Sequence, residues 1–266
     1  MIHVHHKSPI TARAFTVAVG SPYSEVAIAS QECVRENTGL ETTVLGEDSF
    51  RASGLDHPAA LRLQMFDIFE EEVLFYFDAD WICLSRWDPL KDGASRALIA
   101  CRDFIYAGEC PDDIYDFDSE YFLGTKDGRA LEHKGPLREQ YIDEIREFAQ
   151  LQTSPSMWIN SGLMIVNRTN HRDLFNHAAR LYKTRLGCHP KYYEQPSIQR
   201  AIAESGTEVR LLPRCYNVLA NREHTWPTSV TGLHIKTKAH PRFLKYLSEK
   251  GDLITTNDIK LFFCPS

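Results

Sequence analysis

The chain has 266 residues, of which 43% are apolar and 25% charged, as expected for a globular protein with a sizeable core. Its net charge of −6 argues against a protein that coats nucleic acid. No apolar run approaches the roughly 18 residues of a membrane-spanning helix, and the N-terminus lacks the apolar segment of a secretory signal. Seven cysteines without a Cys-x-x-Cys pair are typical of reduced thiols, so we expect a cytoplasmic protein.

The first third of the chain alternates strand-like and helix-like segments. Short apolar runs predict strands at 15–20, 41–46 and 73–77. The helix between the first two is predicted to begin between Ser21 and Ser24 and to end at Gly39. The next helix has Asp56 as its expected N-cap, and residues 1–13 are expected to form a mobile terminus. This alternation is the signature of a parallel sheet with right-handed crossovers.

The rest of the chain continues the α/β pattern after one long interruption. Further strands are predicted at 97–104, 158–167, 208–213 and 230–236, and further helices at 137–148, 174–187 and 194–204. Residues 105–136 are rich in Asp, Gly and Tyr and lack periodicity, which predicts a variable loop, and loops of this length are usually functional or mobile. Because no repeat or linker is evident, the sequence predicts one α/β domain over 1–266.

The third strand runs directly into a pair of carboxylates, Asp78 and Asp80. Open α/β sheets bind ligands beyond the carboxyl ends of their strands. Two carboxylates one residue apart can bind a hard divalent cation, which commonly shares its ligands with substrate phosphates. Asp116 and Asp118 have the same spacing without an apolar strand before them, and we interpret them as a solvated loop. The residues therefore indicate a metal–diphosphate site at Asp78 and Asp80, with a polar turn as the alternative.

Two classes of enzyme place such a pair after a strand. In haloacid-dehalogenase-type phosphohydrolases the first aspartate is the nucleophile and the second a general acid. That class also needs a later acidic cluster, for which Asp252 and Asp258 are the best candidates in this chain. The other class uses the pair to hold a metal on a nucleotide-sugar diphosphate. The residues around Asp78 leave both alternatives open.

Several patches occur in an order that resembles glycosyltransferase family 8, the retaining GT-A enzymes that include glycogenin and bacterial lipopolysaccharide galactosyltransferases. The patches are GSPYSEVAIAS, LRLQMFDIF with VLFYFDAD, INSGLMIVN, EQPSIQRAI and GLHIKTKAHP, which together span residues 15–241. The resemblance implies a GT-A fold, a single Rossmann-like domain with a mixed, mostly parallel central sheet. It also implies transfer of a hexose from a UDP-sugar to an acceptor hydroxyl, with retention of the anomeric configuration.

Matching positions imply roles for particular residues. The implied ligands of a Mn²⁺ or Mg²⁺ ion are Asp78, Asp80 and His234. The implied contacts of the nucleotide-sugar donor are Tyr23 on the base, Arg62, Asp78, Asn160 and Lys238. The implied catalytic residues near the anomeric centre are Glu194, as a nucleophile, and Gln195, as a stabiliser of the oxocarbenium-like centre. The resemblance also includes front-face displacement without a protein nucleophile.

The chain departs from the family pattern near its last patch. Thr237 occupies a glycine position, and His240 occupies the position of a diphosphate-binding lysine, so that Lys236 or Lys238 would have to supply the charge. These changes make a catalytically degenerate nucleotide-sugar-binding module a further alternative. The resemblance implies a saccharide, lipid-linked glycan or protein as acceptor. Because residues 105–136 are aromatic, acidic and aperiodic, we expect them to form the variable wall of the acceptor site. No nucleic-acid partner or transmembrane segment is expected, and peripheral membrane contact stays open.

Overall fold

A mixed six-stranded sheet is the centre of the fold. The computed structural model describes residues 10–93, 95–102, 143–144, 146–151, 158–190, 192–220, 230–235, 241–250 and 255–263. Its strands are β1 (Ala12–Val17), β2 (Thr42–Leu45), β3 (Val73–Phe77), β4 (Trp81–Cys83), β5 (Leu98–Arg102), β6 (Ile159–Asn167), β7 (Val209–Leu212), β8 (Val218–Ala220) and β9 (Gly232–Ile235). The large sheet has the order β2-β1-β3-β6-β5-β7, and only the pairings of β6 are antiparallel. The predicted mixed, mostly parallel sheet is therefore confirmed.

Helices cover both faces of this sheet. They are α1 (Tyr23–Thr38), α2 (Glu47–Ser53), α3 (Met65–Ile68), α4 (Pro89–Gly93), α5 (Arg168–Leu181), α6 (Gln195–Ser205), α7 (Pro241–Lys250) and α8 (Thr256–Phe263). Shorter turns of helix are the 3-10 helices Pro58–Gln64 and Arg214–Tyr216 and the π-helical turn Tyr182–Leu186. None of the helices in the described ranges combines the length and apolar character needed to cross a membrane.

Strand β3 shows why the sequence pattern there is continuously apolar. All five of its residues are buried. Phe75 and Phe77 pack into a core shared with α1, α7 and α8, whereas Leu74 and Tyr76 pack into a second core shared with the 3-10 helix Pro58–Gln64, α5 and α6. A strand covered on both faces needs no polar alternation. The parallel pairing of β3 with β1 sets its direction and places the carboxyl ends of both strands at the same edge of the sheet.

Several predicted boundaries were wrong. Strand β1 begins at Ala12 rather than at residue 15, so its first two residues belong to the segment expected to be mobile, and Arg13 Nε lies 2.5 Å from Glu71 Oε1. The segment expected to be a helix from Asp56 is a 3-10 helix capped by His57, and it becomes α-helical only at Met65. Ile68, whose spacing from Leu61 and Met65 predicts a core position, is 39% exposed. Residues 105–136 and most of the expected helix 137–148 lie outside the described residues.

A second, three-stranded sheet has the order β4-β9-β8. Strands β4 and β8 were not predicted, because three residues are too few to show a periodic pattern. Strand β4 begins directly after Asp80 and pairs antiparallel with β9, with Trp81 opposite His234. The small sheet therefore carries a residue from near the end of the chain to the carboxyl end of β3.

Candidate metal and donor site

The carboxyl end of β3 meets the start of β6. The two strands are antiparallel, with Phe77 opposite Leu163, and the amide of Asp78 donates to the carbonyl of Gly162 at 2.8 Å. The segment Asn160–Gly162 therefore lies directly beside the acidic pair. This edge of the sheet is where open α/β folds bind their ligands.

Asp78, Asp80 and His234 converge at this edge. His234 Nε2 lies 3.3 Å from Asp80 Oδ1 and 3.9 Å from Asp78 Oδ2. One ligand atom from each of the three side chains lies within 4.8 Å of the others. The backbone fixes this arrangement, because the amide of Ile235 donates to the carbonyl of Asp80 at 2.7 Å. Two carboxylates and one imidazole form a donor set that fits a divalent ion such as Mn²⁺.

Asp78 is the more firmly held of the two carboxylates. Its Oδ1 accepts hydrogen bonds from Tyr76 Oη at 2.6 Å and from Arg62 Nη2 at 3.0 Å. Burial by itself would raise the pKa of Asp78, but the charges of Arg62 and His234 and these hydrogen bonds hold the pKa below its ordinary value. Asp78 is therefore ionised and oriented before any ligand arrives.

Arg62 lies at the centre of a buried polar network and is only 5% exposed. Its Nη1 donates to the carbonyl of Ser161 at 2.6 Å, and its Nε lies 3.0 Å from Glu194 Oε1. Its guanidinium carbon sits 4.1 Å from the centroid of the Tyr76 ring. Burial opposes the charge, but Glu194, Tyr76 and Asp78 raise the pKa of Arg62, so it stays cationic. Arg62 thus joins two carboxylates from different parts of the chain.

Glu194 and Gln195 both reach Ser161. Glu194 is 1% exposed and sits at the N-cap of α6, and its Oε1 accepts from Ser161 Oγ at 3.1 Å. Burial raises the pKa of the Glu194 carboxyl. Its second oxygen is buried and has no hydrogen-bond partner among the described residues. Gln195 Oε1 accepts from the amide of Ser161 at 3.0 Å, which aligns the start of α6 with β6.

Asn160 is oriented by two donors. Its Oδ1 accepts from the amide of Gly162 at 3.0 Å and from Asn217 Nδ2 at 3.2 Å. These contacts fix the carbonyl oxygen of the side chain, so the amide nitrogen is the end that can donate to a ligand. Asn217 lies between the 3-10 helix Arg214–Tyr216 and β8, and it is 4% exposed.

Gly162 is required by the close approach of these side chains. A Cβ atom at this position would lie 2.4 Å from Asp78 Oδ2 and 2.8 Å from Asn160 Oδ1. Neither oxygen can move away freely, because each belongs to a hydrogen-bonded group. The glycine therefore leaves the space that both side chains occupy.

The structure brings most of the predicted site residues together. One cluster contains seven of these residues: Arg62, Asp78, Asp80, Asn160, Glu194, Gln195 and His234. Tyr23 is half-buried at the start of α1 and packs against a small cluster of Ala18, Ala27 and Ala79, the last of which lies between the two aspartates. Lys238 lies outside the described residues.

Sequence reasoning missed Tyr76, Ser161 and Asn217 as members of the cluster. Tyr76 is part of an apolar run and therefore indicates only a core strand. Ser161 lies inside the strand motif INSGLMIVN, and its hydroxyl is a signal that could have indicated a polar contact there. Asn217 has no local signal, because its role depends on a contact with a residue 57 positions away.

Comparison with known proteins identifies the fold class. No model of a known protein family matches the sequence, and no curated protein matches it significantly. Galactosyltransferase LgtC, solved with donor and acceptor sugar analogues, has a TM-score of 0.53 at 13% identity, over 91% of this chain and 97% of that chain. An active-site mutant of LgtC has a TM-score of 0.53 at 15% identity, over 89% and 94%. The fold is therefore that of the GT-A glycosyltransferases.

A third structure extends the comparison. The bifunctional glycosyltransferase WbbM has a TM-score of 0.58 at 12% identity, over 96% of this chain and 52% of that chain. At such identities the likeness concerns the fold, and the resemblance to family 8 in particular stays a prediction. The predicted GT-A fold is confirmed.

Proposed function

We propose that the protein is a metal-dependent glycosyltransferase that transfers a hexose from a UDP-sugar to an acceptor hydroxyl with retention of configuration. The observation that carries this proposal is the convergence of Asp78, Asp80 and His234 at the carboxyl end of β3. The fold supports it, because LgtC has the same fold and was solved with donor and acceptor sugar analogues. A hexose, a uridine nucleotide and retention are taken from the family resemblance.

The three converging side chains would hold Mn²⁺ or Mg²⁺, and a bound divalent ion would offset the negative charge that develops on the leaving diphosphate. Around that position the chain supplies the remaining contacts. Asn160 presents its amide nitrogen to a hydroxyl of the donor sugar, and Tyr23 packs on the base. Lys238 supplies positive charge to the diphosphate. Arg62 keeps Asp78 ionised and pointed at the metal position.

We assign Glu194 and Gln195 different roles because their contacts differ. Glu194 Oε1 is already bound by Arg62 and Ser161, and the side chain is buried. We therefore assign Glu194 an electrostatic role towards the oxocarbenium-like centre, rather than that of a covalent nucleophile. Gln195 accepts from the amide of Ser161 through its Oε1, which positions its side chain beside β6, and we assign it the role of orienting the reacting sugar.

The phosphohydrolase alternative has less support in the structure. It needs a second acidic cluster, and Asp258 was one candidate for it. The carboxylate of Asp258 is engaged by Lys250 Nζ at 3.0 Å and by Thr255 Oγ1 at 2.6 Å. The other candidate, Asp252, lies outside the described residues. A degenerate binding module differs from an enzyme in turnover alone, so an assay decides between them.

The direct test is the hydrolysis of UDP-glucose and UDP-galactose in the presence and absence of Mn²⁺. We expect metal-dependent release of UDP by the wild-type protein and loss of at least about 100-fold in Asp80→Asn. Asp88→Asn, which alters a half-exposed carboxylate in the segment after β4, is the matched control and should retain activity. NMR of the first-formed sugar product reports its anomeric configuration.

Three results would refute parts of the proposal. Donor binding without turnover would identify a binding module. Release of phosphate from a simple ester would favour a phosphohydrolase. Equal turnover by the wild-type protein and Asp80→Asn would remove the metal site from the mechanism.

A further inference from the structure

One exposed aromatic residue of the described chain has no role in the proposed chemistry. Tyr193 immediately precedes Glu194 in the chain, and it is 41% exposed. Within the described residues it is the only aromatic among the large hydrophobic side chains that are exposed; the others are Ile10, Ile28, Ile68 and Leu261. Tyrosine is enriched at binding interfaces because it combines an apolar ring with a polar hydroxyl.

The Tyr193 ring has a rigid backing. It stacks on the His57 imidazole with 4.2 Å between ring centroids and an angle of 17° between planes. His57 Nδ1 accepts from the amide of Ala59 at 3.2 Å, at the start of the 3-10 helix that carries Arg62. Burial and the nearby charge of Arg62 lower the pKa of His57, so the imidazole is neutral at neutral pH. One face of the tyrosine is therefore covered and its orientation is set.

The backbone of Tyr193 is also fixed. Its φ angle is 53°, in the left-handed region that a bulky residue rarely adopts. Reciprocal hydrogen bonds with His189, Tyr193 N to His189 O and His189 N to Tyr193 O, are both 2.9 Å long. A glycine or asparagine would satisfy this backbone with less strain. The turn itself therefore does not require the tyrosine side chain.

We propose that Tyr193, backed by His57, is the stacking surface of the acceptor site, and that the acceptor is a saccharide. A pyranose ring has an apolar C–H face that packs on an aromatic ring, while its hydroxyls stay available for hydrogen bonds. A ring that is already oriented loses little conformational entropy on binding. The adjacent Glu194 places a stacked sugar next to the proposed reaction centre. This inference rests on the proposed glycosyltransferase function, and it names the acceptor class.

The test compares donor hydrolysis with transfer in Tyr193 variants. Methyl and octyl glycosides of glucose, galactose and N-acetylglucosamine serve as acceptors, and UDP-glucose and UDP-galactose serve as donors. Tyr193→Asn removes the ring and suits the left-handed backbone. We expect the acceptor KM to rise at least about tenfold, with donor hydrolysis within about twofold of wild type. Tyr193→Phe should keep both activities, and Leu261→Ala is the control for loss of an exposed apolar side chain.

A direct binding measurement makes the inference testable independently of turnover. Saturation-transfer NMR of the methyl glycosides should show contact in the wild-type protein and in Tyr193→Phe, and none in Tyr193→Asn. The pairs of methyl and octyl glycosides separate recognition of the sugar from recognition of a lipid.

Each contrary result has a defined meaning. Equal losses of hydrolysis and transfer in Tyr193→Asn would show that the ring is only structural, and would overturn the proposal. So would a panel in which no glycoside responds to Tyr193 in either assay. A wild-type protein that binds glycosides through Tyr193 but does not bind or hydrolyse either UDP-sugar would refute the proposed function and leave the sugar-stacking surface standing.

Discussion

The two aspartates of the acidic pair lie one residue apart but are held in different ways. Asp78 receives hydrogen bonds from Arg62 and Tyr76, and its backbone amide donates to Gly162. Asp80 is fixed mainly through its backbone carbonyl, which accepts from Ile235. Among the described residues, the group near the Asp80 carboxylate is the imidazole of His234, at 3.3 Å. One carboxylate is satisfied by the protein, and the other keeps most of its bonding capacity.

This difference indicates that the two carboxylates contribute to metal binding in different ways. A carboxylate held by a cation and a hydroxyl has a fixed position before a ligand arrives, which lowers the cost of organising the site on binding. A carboxylate with few partners is costly to bury, so it gains most from an added cation. We therefore expect Asp78 to set geometry and Asp80 to supply much of the affinity for metal.

The largest loss of stability is expected when Arg62, the cation that holds Asp78, is replaced. In Arg62→Met, Asp78 and Glu194 would lose their shared cation in a buried setting. Removing one partner from such a pair costs about 3–5 kcal/mol of unfolding free energy. The matched control is Arg51→Met, which breaks the exposed pair of Arg51 and Glu47 and should cost at most about 1 kcal/mol.

Urea unfolding of the metal-free proteins measures both changes. Similar losses in the two variants would show that the buried network adds nothing beyond a surface ion pair. Such a result would remove the distinction between Asp78 and Asp80.

A smaller loss of stability is expected when a methyl group is placed against the carboxylate of Asp78. In Gly162→Ala the new methyl group would lie 2.4 Å from Asp78 Oδ2, so Asp78 or the strand must shift. We expect a loss of about 1–3 kcal/mol in stability and of about 10–100-fold in Mn²⁺ affinity. Gly46→Ala is the control, because its methyl group would meet only the carbonyl of Ala18, at 3.9 Å. Equal Mn²⁺ affinity in the two variants would show that metal binding does not depend on the position of the Asp78 carboxylate.

The smallest effect concerns Glu194, the second carboxylate beside Arg62. Burial raises the pKa of Glu194 above 4.5, so the folded chain takes up this proton before the unfolded chain does as the pH falls. The ionised form therefore costs free energy at neutral pH, and the cost is relieved as the pH falls through the folded-state pKa towards 4.5. Glu194→Gln should lack this gain in stability, and because Arg62 keeps Asp78 as its counter-ion, the variant should differ from wild type by about 1 kcal/mol or less at neutral pH.

Thermal unfolding of the metal-free proteins between neutral and mildly acidic pH tests this sign, with the exposed Glu70→Gln as control. Identical pH profiles for the wild-type protein and Glu194→Gln would contradict the raised pKa.

Much of the fold could be predicted from the sequence because its signals are local. The continuous apolar run of β3 follows from burial on both faces, and Gly39 ends α1 in the left-handed conformation that the sequence predicted for a helix end. The small sheet was largely missed, although it brings His234 to Asp80. Its pairing of β4 with β9 joins residues about 150 positions apart through a strand of three residues, and no local pattern encodes such a contact.

The site residues that could be predicted are those whose residue type indicates their chemistry. Residues whose role depends on a tertiary contact could not be predicted. Asp78, Asp80 and His234 were found from residue type and family order. Their surroundings depend on tertiary structure: Arg62, expected to contact the donor, is buried among protein oxygens, and Asn217 orients Asn160 from a distant loop.

The central claim is that Asp78, Asp80 and His234 form one site for a divalent cation. Calorimetric titration of the metal-free protein with Mn²⁺ tests it most directly, because it needs neither donor nor acceptor. We expect one ion to bind per chain, and we expect Asp80→Asn to lose at least about tenfold in affinity while its stability without metal stays near that of wild type. Asp88→Asn should bind as the wild-type protein does. Equal Mn²⁺ affinity in the wild-type protein and Asp80→Asn would contradict the account.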